Sequence, residues 1–260
     1  MLLFERFNLG HGFRKYFRIA PAVDDTLRDR VYRIRHEVYC EELKFEPERP
    51  DRRETDEFDA RSLHCLLTTS QAPEQPVGCT RLVLTRSADE LLPFEHTCAH
   101  TLDRRIIDPA RLPRERIAEV SRLAVRATYR RRRGEARDAA PIHDEDFGAA
   151  DRPRFPYIPI GLYLGAVALA ARSGVDTLFV LTEPRLAAHF GKLGVEIRQI
   201  GGGVDHRGLR VPSMMDVHAI IKNMRFIVKP IWRVIQEEIE RGFEEGAGSS
   251  GLSDPPTTSR

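Results

Sequence analysis

The stretch GLYLGAVALAARSGVDTLFVLT, residues 161–182, limits the choice of fold more than any other. Strong helix formers run from Gly161 to Arg172, and Gly174 stands where a helix ends in a left-handed turn. Thr177–Thr182 then offers β-branched and aromatic residues with no polar face, so this strand is expected to be buried. A buried strand directly after an apolar helix calls for an α/β architecture, with a sheet covered by helices.

The remaining periodicities fill in such a layout. Asp24 and Asp25 are N-cap candidates, and Leu27, Val31, Ile34 and Val38 then recur on one face of an amphipathic helix that ends near Leu43. Arg35 and Tyr39, four apart, share a stripe beside that apolar seam. Residues 46–61 are Pro-rich and charged, a loop. Leu63–Thr69 and Val77–Leu84 read as strands joined through Pro73 and Pro76, and Arg81 is in phase with Cys79 and Val83. Residues 87–116 read mostly as loop with one short helix, and Ala118–Val125 as a third strand. Residues 135–159 turn acidic, Ala-rich and Pro-rich, the composition of a mobile insertion. A short helix is expected from Pro184 to Leu193. Glu196–Ile200 and Leu209–Val217 form a hairpin, and a last helix from Val217 to Phe243 is broken or kinked near Pro230. The expectation is one domain over residues 1–243, of α/β (α+β) class, with one mixed sheet and helices on both faces, and a disordered tail over 244–260.

Composition narrows the function. Lys and Arg number 41 against 39 Asp and Glu, a net charge of +2, which lacks the one-sided basic field of a nucleic-acid binder. The four cysteines form no CxxC pair, as expected of reduced thiols. His96 and His100 lack a second ligand pair, so no metal site is expected. Nothing approaches the roughly 20 apolar residues of a bilayer span, and charges interrupt the first twenty residues, so no continuous signal-peptide core is expected there and the protein is expected in the cytoplasm.

Three motifs sharpen the reading. Arg35-His-Glu-Val-Tyr39, then Glu54-Thr-Asp56-Glu-Phe-Asp59, then Cys79-Thr-Arg81 with Ala118-Glu119-Val-Ser-Arg122-Leu-Ala-Val125, occur in the order and rough spacing of the acyl-homoserine-lactone synthases and the N-acyl amino acid synthases. Over about residues 20–220 the chain resembles that branch of the GNAT fold, and within it the acyltransferases associated with exosortase (PEP-CTERM) systems. The resemblance implies that Arg35 and Tyr39 line the acyl and amine site and that Asp56 and Asp59 are its acidic pair. It implies that Arg81 and Arg122 are its strand arginines and that Glu119 is the base. Phe45 stands where those synthases usually carry Trp, which argues against a lactone product. An insertion after Arg133 departs from the wider fold, where the Arg-Gly loop feeds directly into a pyrophosphate-holding helix.

The chemistry these residues would supply is acyl transfer from an acyl carrier protein or CoA thioester to a small-molecule amine, with no tightly bound cofactor. Glu119 would take the amine proton, and backbone N–H groups along Leu123 to Val125 would meet the oxyanion if that strand splays from its neighbour. A bulge there would let Glu119 and Arg122 reach one site. Arg35, Arg81 and Arg122 would be costly to bury unpaired. Asp56 and Asp59 are therefore expected to fold back on them, leaving one arginine free for a substrate carboxylate. Arg130, Arg131, Arg132, Arg133 and Gly134 would grip a phosphopantetheine phosphate or the acidic carrier protein, or form a solvated turn. No Cys or Ser sits in a nucleophile motif, so direct attack is expected. The basic residues of the last helix would serve the carrier protein or, peripherally, an anionic membrane surface, while Ile220, Ile221, Phe226, Ile227 and Trp232 are expected to pack on the sheet. A lactone synthase consuming S-adenosylmethionine and a non-catalytic acyl-binding module are the alternatives.

Overall fold

The computed structural model describes residues 9–130, 148–149, 152–153, 156–183, 191 and 195–249. In chain order these form α1 (Leu9–Tyr16), β1 (Phe17–Pro21), α2 (Asp25–Arg35, continued by a π-helical stretch His36–Glu42), β2 (Ser62–Thr69), β3 (Pro76–Leu84) and α3 (Pro93–Thr97). There follow β4 (Ile117–Val125), β5 (Gly148–Ala149), β6 (Arg152–Pro153), α4 (Tyr157–Arg172) and β7 (Thr177–Thr182). Last come β8 (Arg198–Gln199), β9 (Val204–Asp205), β10 (Leu209–Asp216), α5 (Val217–Asn223) and α6 (Lys229–Ser249). Apart from a small β5–β6 pair, the strands make one sheet in the order β1-β2-β3-β4-β7-β10-β8, with β9 also on β10. Every pairing in it is antiparallel except β4 with β7, which is parallel.

Helices cover both faces, as the alternation of apolar strand residues demands. On one face α4 and α6 pack with α1 against Leu67, Val77, Leu82, Ala118, Val120 and Leu178. The helix α4 is buried from Ile160 to Ala170 because it is apolar all round. It lies flush on the sheet at Gly165, where a Cβ would stand 2.7 Å from Cys65 Sγ. On the other face α2 sets Val31, Ile34, Val38 and Tyr39 over Leu66, Cys79 and Ala124, and Phe94 of α3 stacks on Phe179 at 4.5 Å between centroids. Among the described residues no helix is long and apolar enough to cross a membrane.

Several sequence expectations are corrected. The chain before Asp24 shows no period that declares an element, yet α1 and β1 are regular there, and β1 pairs β2 from Phe17↔Thr69 to Pro21↔Cys65. A strand this short, ending in proline, carries too little alternation to read; at a sheet edge the missing proline N–H costs nothing. Helix α4 begins at Tyr157, inside the segment read as insertion, because Pro159 fits a first turn. The break expected near Pro230 is present: α5 ends at Asn223 and Pro230 sits in the first turn of α6. That helix runs to Ser249, beyond the expected start of the tail. The helix expected over Pro184–Leu193 and most of the insertion lie outside the described residues.

Candidate active site

The site is built on the α2 face, where three elements each contribute an arginine. Asp24 caps α2 by accepting from Leu27 N at 2.8 Å, and the apolar seam then presses Arg35 inward until it is 0% exposed. From His36 the helix widens to the π pattern, a form frequent at functional sites. Past the widened turn, Phe45 N and Glu46 N both donate to Tyr39 O, at 2.7 and 3.1 Å. Phe45 stacks on Tyr39 at 6.5 Å, and the Tyr39 hydroxyl donates to Leu123 O at 3.1 Å. Burial pushes the Tyr39 hydroxyl well above the ordinary phenol range. Tyr39→Phe should lower stability by about 1 kcal/mol, read from denaturant midpoints.

The acidic loop folds back as expected, and its own geometry shows why. Asp56 caps a 3₁₀ turn, Glu57–Arg61, by accepting from Phe58 N at 3.0 Å. Asp59 Oδ2 accepts from Asp56 N at 2.8 Å. This reciprocal capping fixes both aspartates and aims their other oxygens at the sheet. Arg35 Nε meets Glu54 at 2.5 Å and its two terminal nitrogens meet Asp59 at 2.6 and 3.1 Å. Arg81 gives Nε to Ser121 Oγ at 3.0 Å and Nη1 to Asp56 and Asp59 at 2.5 and 2.9 Å. Arg122 Nη2 reaches Glu54 and Asp56, both at 3.1 Å, and its guanidinium lies 5.6 Å from the Tyr39 ring centre.

One expectation fails here. No arginine of the three is left unengaged, because Glu54, an acid to which the sequence reading gave no role, brings the carboxylates to the same number as the guanidiniums. Burial alone would raise the Asp59 carboxyl, but hydrogen bonds from Arg35, its charge and that of Arg81, and the Asp56 N–H hold it well below the usual range. Burial would likewise lower Arg35, yet Glu54 and Asp59 hold its affinity for protons above the ordinary value. His64, also unforeseen, is buried 3.6 Å from Asp59 with its ring edge on Tyr32. Burial and the neighbouring Arg35 push it down to about 3, so the ring is neutral.

Strand β4 carries the remaining pieces. The β3–β4 register passes from Cys79↔Ala124 to Arg81↔Ser121, so Arg122 and Leu123 both stand opposite Thr80. At this bulge Arg122 takes φ +51°, a strained choice for a side-chain-bearing residue. The bulge turns Arg122 toward the acids. Beside it the sheet opens: β4 pairs with β7 only over Ile117–Val120 but with β3 as far as Val125. Arg126 N donates to Val77 O at 3.0 Å, so strand alternation turns the Val125 N–H the other way, toward the opening. Glu119 lies one strand repeat before Ser121 on the arginine face, buried, with Oε2 accepting from Phe94 N at 2.7 Å. Burial pushes its carboxyl up to about 8, against the Phe94 N–H and the charges of Arg81 and Arg122.

Exposure rises from the interior outward. The side chains of Glu54 and Asp59 are 3% and 7% exposed, while Asp56 and Arg122 reach 23% and 17%. Beside Arg122, Glu46 lies 3.7 Å from its guanidinium and also pairs with Arg207, whose own guanidinium lies 5.6 Å from the Phe45 ring centre. Arg130 is paired with Glu42 at the end of the π-helical stretch. Arg131, Arg132, Arg133 and Gly134 lie outside the described residues.

This sheet, opened between two parallel strands and flanked by helices, has the GNAT fold, and residues 34–137 match the family profile described as acetyltransferase (GNAT) domain. The structure is similar to that of MesI, described as a CoA-dependent acyl-homoserine lactone synthase, with a TM-score of 0.52 and 19% identity over 84% of this chain and 95% of that one. It is similar to the AHL synthase LasI (TM-score 0.51, 15% identity, 80% of this chain and 95% of that one). FeeM, an N-acyl amino acid synthase from uncultured soil microbes, gives a TM-score of 0.51 at 15% identity over 80% and 95% of the two chains. No curated protein sequence is significantly similar to the chain.

Proposed function

We propose that the protein is an N-acyltransferase that moves a fatty acyl group from a CoA or acyl-carrier-protein thioester to the amine of an amino acid or a similar small molecule. The observation that carries this reading is the placement of Glu119 and the arginine–carboxylate cluster on one face, beside the gap where β4 leaves β7. A thioester laid in that gap would present its carbonyl to the Val125 N–H, a donor able to stabilise the developing oxyanion by roughly 3–4 kcal/mol. The amine nitrogen attacks the carbonyl carbon directly; the C–N bond forms, the C–S bond breaks, and the sulfur leaves as thiolate. The proton lost by the amine passes to Glu119, directly or through a water, and then to the thiolate. The balanced cluster of Arg35, Arg81 and Arg122 with Glu54, Asp56 and Asp59 holds the loop and the bulge in register without adding net charge.

The likeness to a CoA-dependent synthase supports a thioester donor, and the likeness to FeeM supports an amino acid acceptor. The carrier-protein donor and the exosortase association rest on the sequence resemblance alone. The lactone alternative is favoured by the structures of MesI and LasI and opposed by Phe45, which packs between Tyr39 and Arg207 where those synthases usually carry Trp. Mass spectrometry of the purified protein incubated with long-chain acyl-CoA, mixed amino acids and S-adenosylmethionine separates the readings. The expected product is an N-acyl amino acid. An acyl-homoserine lactone would replace this reading by the alternative, and free fatty acid or no product would overturn both.

A further inference from the structure

The break between α5 and α6 leaves an apolar side chain where none is expected. Met224 and Val228 are anchored in the core at 6% and 2% exposure, and the turn between them throws Phe226 out to 85% and Ile227 to 38%. The sequence reading packed both on the sheet; the turn instead points them away from it. Phe226 is thus a ring held in water by well-anchored neighbours.

The charges around it are equally one-sided. From Val217 to Gln236 the chain carries Lys222, Arg225, Lys229 and Arg233 and no Asp or Glu. All four are exposed, and none forms an ion pair with a described residue. Neighbouring elements behave differently: Arg116 pairs with Asp176, Arg14 with Glu237, and Arg172 with Glu240. Around this apolar tip the four cations have no such partner among the described residues.

We propose that the 224–228 turn is a docking point for an anionic phospholipid surface. A ring this exposed, flanked by cations, suits a deformable apolar layer with anionic headgroups better than the preformed recess a folded partner would have to supply. Phe226 and Ile227 enter below the headgroups while the four cations stay level with the phosphates. The site lies on the helix-covered side opposite α2 and is independent of the acyl-transfer reading.

The test is flotation of the full-length protein with vesicles of phosphatidylcholine alone or mixed with phosphatidylglycerol, at low and high salt. Binding is expected only to the mixed vesicles and to weaken with salt. Phe226→Ser, whose circular dichroism should be unchanged because the ring touches little, is expected to weaken binding roughly tenfold. Replacing Lys222, Arg225, Lys229 and Arg233 by Gln should abolish it. Absence of the wild type from the floated mixed vesicles, or equal flotation of wild type and Phe226→Ser, overturns the proposal. Loss of acyl-carrier-protein binding in the Gln variant without vesicle binding by the wild type would assign the patch to a protein partner instead and also overturns it.

Discussion

Glu119→Gln should cut acyl transfer about 10²–10⁴-fold and at the same time make the folded protein more stable. Both effects come from one buried carboxyl. In the folded chain burial pushes it up to about 8, from an ordinary value of 4.5. Between those pH values the unfolded chain has released a proton that the folded chain keeps, so stability falls as pH rises through the window. At about 1.4 kcal/mol for each tenfold change in proton affinity, the loss accumulated by pH 8 is on the order of 5 kcal/mol. Glutamine keeps the shape, can accept from Phe94 N, and does not ionise. Urea denaturation of the two proteins should therefore agree near pH 4 and separate increasingly toward pH 8, with the variant the more stable. Wild-type kcat/KM should climb across the same range, because a base needs the ionised form that folding opposes. Full activity in Glu119→Gln would remove Glu119 from its role, and a stability difference independent of pH would contradict its buried, protonated state.

Arg35→Ala should cost about 3–5 kcal/mol of stability, far above the value of an exposed salt bridge. The substitution leaves Glu54 and Asp59 buried at 3% and 7% side-chain exposure without the guanidinium that meets both. Arg35→Lys should recover little, because a single ammonium cannot serve the directions now taken by Nε, Nη1 and Nη2. Asp59→Asn should add less to Arg35→Ala than it costs alone, since the two side chains act as one unit. The acid limb carries the same signature. Asp59 is held below its ordinary 3.8, so its stabilisation is whole above that pH and drains away as the solution is acidified further. A loss below about 1 kcal/mol for Arg35→Ala would make the cluster an ordinary solvated surface.

The two substitutions separate what a mutation at this site does to chemistry from what it does to folding. Glu119 is costly to the fold and is the base in the reaction proposed above. Arg35 has every nitrogen engaged by a carboxylate and works by holding the Glu54–Asp59 loop against the sheet. A screen by activity alone would record both as inactive. Stability measured against pH tells them apart, because Glu119→Gln gains stability as pH rises whereas Arg35→Ala loses it.

Much of the scaffold could be read from short-range pattern. The helix from Asp24, strands β2, β3, β4 and β7, and the apolar α4 each carry a period that needs only a few consecutive residues to declare itself. The need for carboxylates near Arg35, Arg81 and Arg122 was also legible, since burying a guanidinium unpaired is too costly. Which carboxylates would serve was not. Glu54 and Arg122 are 68 positions apart, and their meeting depends on how the loop folds and on the bulge that puts Arg122 at a positive φ. No local signal announced the π-helical stretch after Arg35, the buried His64 or the exposed Phe226.

Residue order by itself thus determined the element types, the layered sheet and the kinds of charge at the site, because these follow from side-chain period and from the cost of an isolated buried ion. Only the tertiary structure decided that these three arginines meet Glu54, Asp56 and Asp59, that β4 leaves β7 after Val120, and that Glu119 is dry enough to hold its proton. Those outcomes depend on strand register and burial, which are set by contacts between distant parts of the chain.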